Sequence, residues 1–571
     1  MKVAQVLLEM LKGYEVRHVF GLPGETTLPW YETWRGFGEI EHVLTRDERS
    51  SSFMADGYAK ASGRPGICES PSVGSTHILP GIAESFKGAN PVIAFTSDIP
   101  LHMESRNMLT GLNQSALFSG ITKATFTLTH PDEVPHVVRR TFRIATTGKP
   151  GPVHVRVPMD LLAQEAESPN LAVQPDFARF PGHRPVAALA SVDLALAALE
   201  KARKPVIVCG QGVLASQAWE PLQALAERYG AAVGTTINGK GAFDETHPLS
   251  LGVIGARGGT RYSNGRILDA DCIFFVGCST DSAGTDGWKI PVPGSGQTLI
   301  HLDVSGEELG NNYPEALPLL GDAKATLEVM LDRGRPIDRE TAAARAEENR
   351  RAREAFMVSL AACFGREGAP VHPMRFVREL ERALPENALV VADPGISAVY
   401  ASAFLKLKGP GRKWIVNFSV GALGYGLPAG LGASYAHDGP VVVLTGDGSF
   451  GFTAGELETL KRSGRDVKVV LFNNECFGWI RATSRFSGGG RAVCHRLFRD
   501  GLPCGGKGVR PRGRTRGRFR GTRPGTGSDV FQERSLLPGI ARPAGGRAGS
   551  PGPRVGRGSG QARHGLPLLS L

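Results

Sequence analysis

Asp447 has the character and setting of a ligand for a hard cation. It sits in Gly446-Asp447-Gly448-Ser449, directly after the apolar run Val441-Val442-Val443-Leu444. A polar segment containing Glu456-Leu457-Glu458 follows. A second apolar run, Val467 to Phe472, then ends in Asn473-Asn474. The pattern predicts strand, helix, strand, a right-handed βαβ unit of roughly 30 residues. Ligands of open α/β sheets bind at the carboxyl ends of parallel strands, so Asp447 and Asn474 are expected to converge. One carboxylate and one amide carbonyl are hard oxygen donors suited to Mg²⁺ holding a diphosphate. By itself Gly-Asp-Gly is a common turn in which Asp447 would only cap the following helix.

The step from Gly446-Asp447-Gly448 to Asn473-Asn474 resembles the diphosphate-anchoring motif of thiamine-diphosphate enzymes. The resemblance implies that Asp447, Asn474 and the backbone carbonyl of Cys476 hold Mg²⁺. It also places Gly446, Gly448 and Ser449 against the cofactor. A second match lies near the other end. Val19-Phe20-Gly21-Leu22-Pro23-Gly24 resembles the family's first turn and brings in Gly24 as a cofactor-binding residue. The alternating stretch 40–45 delivers Arg46-Asp47-Glu48, and the small-residue segment 53–59 follows. Read as residues alone, Asp47 and Glu48 are solvated charges opening a helix, where carboxylates are favoured. The resemblance implies instead that Glu48 is catalytic, bonding the N1′ nitrogen of the cofactor's aminopyrimidine. That contact favours loss of the proton on the thiazolium carbon, and the thiazolium then serves as electron sink when carbon dioxide leaves a 2-oxo acid. The segment 420–428 resembles the region that wedges a hydrophobic residue between the two rings, with Leu423 as the wedge; the plainer reading of Leu423 is core. Gln114 matches a glutamine of a cofactor-side loop.

The resemblance runs from residue 1 to about 486 and is closest to acetolactate synthase large subunits. It implies an α/β protein of three doubly wound parallel-sheet domains. These are a pyrimidine-binding domain (1–168), a central domain (186–332) and an incomplete diphosphate-binding domain (365–486). A linker at 169–185 and a charged, Ala-rich helix over 338–353 would join them. Sites in this family form between two subunits, so a homodimer or homotetramer is implied. The implied partner is a small 2-oxo acid, and the cofactors are thiamine diphosphate and Mg²⁺. The expected reaction is decarboxylation followed by carboligation or acyl transfer. A benzoylformate-type or other 2-oxo-acid decarboxylase, or a sulfoacetaldehyde acetyltransferase-like enzyme, is the alternative within the family. Two departures matter. The family's Gly-Pro-Gly-Ala-Thr-Asn reads Ser72-Val73-Gly74-Ser75-Thr76-His77, and the Arg-rich turn that helps hold a flavin reads Ser279-Thr280-Asp281-Ser282. FAD is therefore doubtful as a cofactor.

A different chemistry has one foothold. Gly210-Gln211-Gly212-Val213-Leu214-Ala215 after a strand fits the dinucleotide fingerprint G-x-G-x-x-A, which would make the chain a nicotinamide oxidoreductase. The acid that should follow about 20 residues later is not at a strand end, because Glu227 lies in a helical pattern.

The net charge of +11 has a local origin. Residues 487–571 hold 16 Arg and 1 Lys against 3 acidic residues, which leaves 49 basic and 52 acidic residues in 1–486. The body is mildly acidic. The tail has 21 Gly and 8 Pro among 85 residues, a composition expected to be disordered. Its stretch 512–521 resembles an Arg-Gly arm, a second class of function in which the chain binds nucleic acid. The reading preferred is a frameshift near residue 486, because the family pattern stops abruptly there and the remaining residues are those of GC-rich codons. Nucleic acid is then not the expected partner, and the chain as written is expected to be poorly active or inactive. The eight Cys include no C-x-x-C pair, so neither a disulfide framework nor a zinc site is indicated. Met1 to Lys12 mixes charged and apolar residues like an amphipathic helix, unlike a signal peptide. No apolar run approaches 18 residues, so no membrane span is expected, and a cytoplasmic location fits.

Overall fold

The computed structural model describes residues 1–368, 370–486 and 530–531. Strands rich in Val and Ile, buried on both faces, build three all-parallel sheets covered by helices. The first contains β1 (His18–Gly21), β2 (Glu41–Leu44), β3 (Gly66–Ser70), β4 (Val92–Asp98), β5 (Ala124–Thr127) and β6 (Val153–Pro158). Their spatial order is β2-β1-β3-β4-β6-β5. The second contains β7 (Pro205–Cys209), β8 (Ala232–Thr235), β9 (Ser250–Val253), β10 (Cys272–Val276), β11 (Thr298–Asp303) and β12 (Leu317–Leu320), in the order β12-β11-β10-β7-β8-β9. The third contains β13 (Leu389–Ala392), β14 (Trp414–Val416), β15 (Val441–Gly446), β16 (Val467–Phe472) and β17 (Val530–Phe531), in the order β14-β13-β15-β16-β17. The expectation of three parallel α/β sheets therefore holds.

The third sheet positions the Asp447 unit. β15 and β16 pair in parallel from Val441↔Val467 to Gly446↔Phe472, so their carboxyl ends are level. No strand is legible in the sequence after Phe472, yet the backbone of Val530 and Phe531 pairs with Val469 and Val470. The rest of the tail, with the expected disorder and the Arg-Gly stretch, lies outside the described residues. Glu227 falls in the helix Trp219–Tyr229, as its pattern suggests, and the charged helix runs Arg339–Ser359. Among the described residues no helix is long and apolar enough to cross a membrane.

The first and third sheets are joined by two helices, Glu48–Ser62 and Gly426–Ser434, whose backbones touch. A Cβ built on Gly57 would lie 2.2 Å from the Ala429 carbonyl oxygen, and one on Gly432 would lie 2.1 Å from that of Met54. Only glycine allows this approach, since backbone cannot yield as a flexible side chain does. Gly57→Ala is expected to cost about 1–3 kcal/mol by overpacking. Chemical denaturation of the two purified chains checks this, and an unchanged midpoint would contradict it.

Buried polar groups reinforce the contact. Lys60 pairs with Asp56 at 2.7 Å, and the Tyr425 hydroxyl donates to Asp56 at 2.6 Å. Glu84, wholly buried in the helix Leu79–Lys87, accepts backbone N–H bonds from Ser419 (3.1 Å), Val420 (2.7 Å) and Gly421 (3.2 Å). Burial raises the Glu84 carboxyl pKa, while the Lys60 charge and these N–H donors oppose the rise. The loop carrying Leu423 is thereby pinned to the first domain.

Candidate active site

At the end of β15 the chain turns directly into the helix Asp447–Thr453. Asp447 Oδ1 accepts from the Gly448 N–H at 3.0 Å. Its other oxygen, Oδ2, is buried and has no hydrogen-bond partner among the described residues. Burial raises the pKa of this carboxyl, with neighbouring backbone N–H groups opposing. At the end of β16, Asn474 Oδ1 accepts from the Cys476 N–H at 3.1 Å and from its thiol at 3.2 Å. This tight turn places Glu475 at φ +55°.

These residues face one cavity of about 630 Å³. Its wall includes Gly446, Asp447, Gly448, Ser449, Asn474 and Cys476, together with Leu423. Leu423 is half-buried and borders the cavity, so it is not plain core. Its loop is held from two sides: the Gly424 N–H donates to Ser449 Oγ at 2.8 Å, and Glu84 holds residues 419–421. An added Cβ at Gly395, Gly421 or Gly446 would meet nothing within 4 Å, so these glycines border open space.

Glu48 sits elsewhere, at the carboxyl end of the first sheet. Asp47 caps its helix by accepting from the Arg49 N–H at 2.8 Å. The Glu48 side chain is nearly buried, and its Oε2 lies 3.0 Å from His77 Nδ1. Gly74 is needed for this packing, because a Cβ there would lie 2.7 Å from Glu48 Cγ. The ligand-type atoms of Asp47, Glu48 and His77 all lie within 4.8 Å of one another. The loop also rests on the third domain, where the Arg46 N–H donates to Glu456 Oε1 at 2.9 Å. Gly24 packs under Pro71, with a built Cβ only 2.4 Å from Pro71 Cβ. Gln114 is buried; Thr96 Oγ1 donates to its amide oxygen, and its Nε2 donates to the Ser97 carbonyl at 3.0 Å. Neither Glu48, Gly24 nor Gln114 lines the Asp447 cavity.

Arg257 and Trp479 are among the wall residues not singled out in the sequence. His77 registered there only as a departure from the family pattern, with no sign of its contact to Glu48.

The G-x-G-x-x-A turn borders a separate cavity of about 520 Å³, whose wall includes Ser279, Asp281 and Asp303 together with Lys87 and Lys149 of the first domain and Ser419 of the third. Its glycines answer a packing demand. A Cβ on Gly210 would lie 2.1 Å from the Gly277 carbonyl oxygen, and one on Gly212 would lie 2.6 Å from Gly277 Cα. Close approach of two chain segments thus accounts for the fingerprint without a dinucleotide.

The donor set at Asp447 fits a hard divalent cation. A desolvated carboxylate oxygen without a partner is costly, and a cation removes that cost. The open space along Gly446 to Ser449, at a helix N-terminus, suits an anionic group such as a diphosphate.

Three models of thiamine pyrophosphate enzymes match in order: the N-terminal TPP binding domain over residues 1–117, the central domain over 192–330 and the C-terminal TPP binding domain over 393–501. A probable acetolactate synthase large subunit of Methanocaldococcus jannaschii is 32% identical over 493 residues, covering 84% of this chain and 81% of that protein. An acetolactate synthase of Arthrospira platensis is 32% identical over 496 residues, covering 84% and 83%. A probable 2-ketoarginine decarboxylase of Pseudomonas aeruginosa is 35% identical over 489 residues, covering 84% and 83%.

Proposed function

The chain belongs to the thiamine pyrophosphate enzymes, and from that premise we propose that it uses thiamine diphosphate and Mg²⁺ to decarboxylate a 2-oxo acid and pass the remaining carbon unit to an acceptor. The observation that carries this reading is the unpartnered Asp447 oxygen facing the same cavity as Asn474 and Leu423. Asp447, Asn474 and the Cys476 carbonyl would hold Mg²⁺, with Gly446 to Ser449 against the diphosphate. Leu423 would set the bend of the cofactor, backed by the loop that Glu84 anchors. When bound, the cofactor supplies the electron sink for the carbanion left as carbon dioxide departs.

Glu48 is the general acid–base group in this reading. Its position at a helix start and its contact with His77 keep one oxygen engaged, leaving the other for a nitrogen of the cofactor. Glu48 and Asp447 border different spaces in one chain, which supports a site completed by a second subunit and hence a homodimer or a larger assembly. Half-buried apolar wall residues such as Ile396 and Phe418 limit the access of water, which protects a carbanion from protonation.

Transfer to an acceptor is favoured by the acetolactate synthase relatives. Plain decarboxylation is the second reading, supported by the relative named as a 2-ketoarginine decarboxylase. Product analysis decides between them. The purified chain, given thiamine diphosphate, Mg²⁺ and pyruvate, is expected to yield acetolactate; acetaldehyde alone would favour the second reading. No binding of thiamine diphosphate by calorimetry would end both. Turnover is expected to be low, because among the described residues β16 is flanked beyond β15 only by the two-residue β17.

A further inference from the structure

The wall of the Asp447 cavity carries two charged side chains among the described residues, Asp447 and Arg257. Asp447 is claimed by a cation in the reading above, on which this inference rests. That leaves Arg257 as the charge a substrate meets.

Arg257 arrives from the central domain, in the loop that follows β9. The loop is firmly built. Gly255 and Gly258 take φ values of +87° and +93°. The Gly255 N–H donates to Asn264 Oδ1 at 2.9 Å, and the Ala256 N–H donates to the Ala283 carbonyl at 2.7 Å. Ser402 Oγ would lie 2.2 Å from a Cβ on Gly258, so the turn is seated against the third domain. From this support the guanidinium reaches Trp479, at the start of the helix Gly478–Phe486, with 4.1 Å between its carbon and the ring centroid. The stack fixes the plane of the guanidinium and leaves its N–H edge available. Arg257 makes no side-chain hydrogen bond or ion pair among the described residues; the carboxylate that acts on it, Asp286, does so through its charge alone. Arg remains protonated under ordinary conditions, so the cavity keeps this positive charge.

We infer that Arg257, stacked on Trp479, is the specificity-determining residue of the cavity: it favours 2-oxo acids whose far end is anionic and rejects those whose far end is cationic. A guanidinium edge with free N–H groups pairs with a carboxylate in two parallel bonds, whereas a second guanidinium or an amine meets like charge in a partly dry space. The same chemistry would recognise the diphosphate of the cofactor, and the experiment separates the two anions.

The full chain, with and without thiamine diphosphate and Mg²⁺, is titrated with 2-oxoglutarate, pyruvate and 5-guanidino-2-oxopentanoate, followed by calorimetry and tryptophan fluorescence. 2-Oxoglutarate is expected to bind at least about tenfold more tightly than the guanidino acid. Arg257→Gln removes that preference, Arg257→Glu reverses it and Arg257→Lys keeps part of it, while thiamine diphosphate affinity stays within about threefold in all of them. An unchanged ranking of the three acids in Arg257→Gln overturns the inference. So does a large loss of thiamine diphosphate binding in Arg257→Lys, which would assign the residue to the cofactor. The ranking is also read without cofactor, so failure of the wild-type chain to bind thiamine diphosphate sinks the functional reading and leaves this one to stand or fall on the acids.

Discussion

Asp447→Ala is expected to abolish retention of thiamine diphosphate and Mg²⁺ together. The carboxylate is the charged member of the proposed ligand set of Asp447, Asn474 and the Cys476 carbonyl, and one of its oxygens has no protein partner among the described residues. Removing a ligand of this kind should raise both dissociation constants on the order of 100-fold or more, about 3 kcal/mol at 1.4 kcal/mol per tenfold. The fold should survive, because Asp447 begins a short helix and its side chain meets only backbone N–H groups beside it, that of Gly448 at 3.0 Å. The deletion even removes a buried, under-satisfied carboxylate. Calorimetric titration of cofactor with Mg²⁺, and of Mg²⁺ alone, reads the effect. A variant that still binds either partner with near wild-type affinity would remove Asp447 from the metal site.

Glu48→Gln has the opposite signature. It keeps shape and volume but removes the ability to exchange a proton. Loss of one general acid–base group lowers a rate by about 10²–10⁴-fold. Cofactor affinity should change by less than tenfold, because Glu48 lies apart from the Asp447 cavity. Turnover of a 2-oxo acid is one measure. Deuterium exchange at the thiazolium carbon of the bound cofactor is a better one, since it reports proton removal even where turnover is slow. Exchange as fast in Glu48→Gln as in the wild type would leave Glu48 a structural carboxylate paired with His77.

The two variants also mark what was legible in the chain itself. The Asp447 unit could be read directly, because two Val-rich runs separated by a polar segment admit few arrangements, and parallel pairing brings their ends level. Glu48 could not be read that way. A carboxylate opening a helix is common, and only the resemblance singled it out. The pinning of loop 419–421 by Glu84 spans more than 330 residues of sequence and left no local pattern. Arg257 was hidden for a related reason: its stack on Trp479 joins two domains. Gly57 looked like any small residue in a helix, and only the crossing with Gly426–Ser434 gives it a duty. The two-residue pairing at Val530 is shorter than any run that hydrophobic periodicity can detect.

The grip of Glu84 on Ser419, Val420 and Gly421 bears on how the molecule can be taken apart. Excised residues 365–486 would still contain Asp447, Asn474 and Leu423, yet the buttress behind Leu423 belongs to the opening third of the chain. The metal-binding portion is therefore not a transplantable cassette. Grafted onto another scaffold, it would bring the ligands without the shape of the wall beside them.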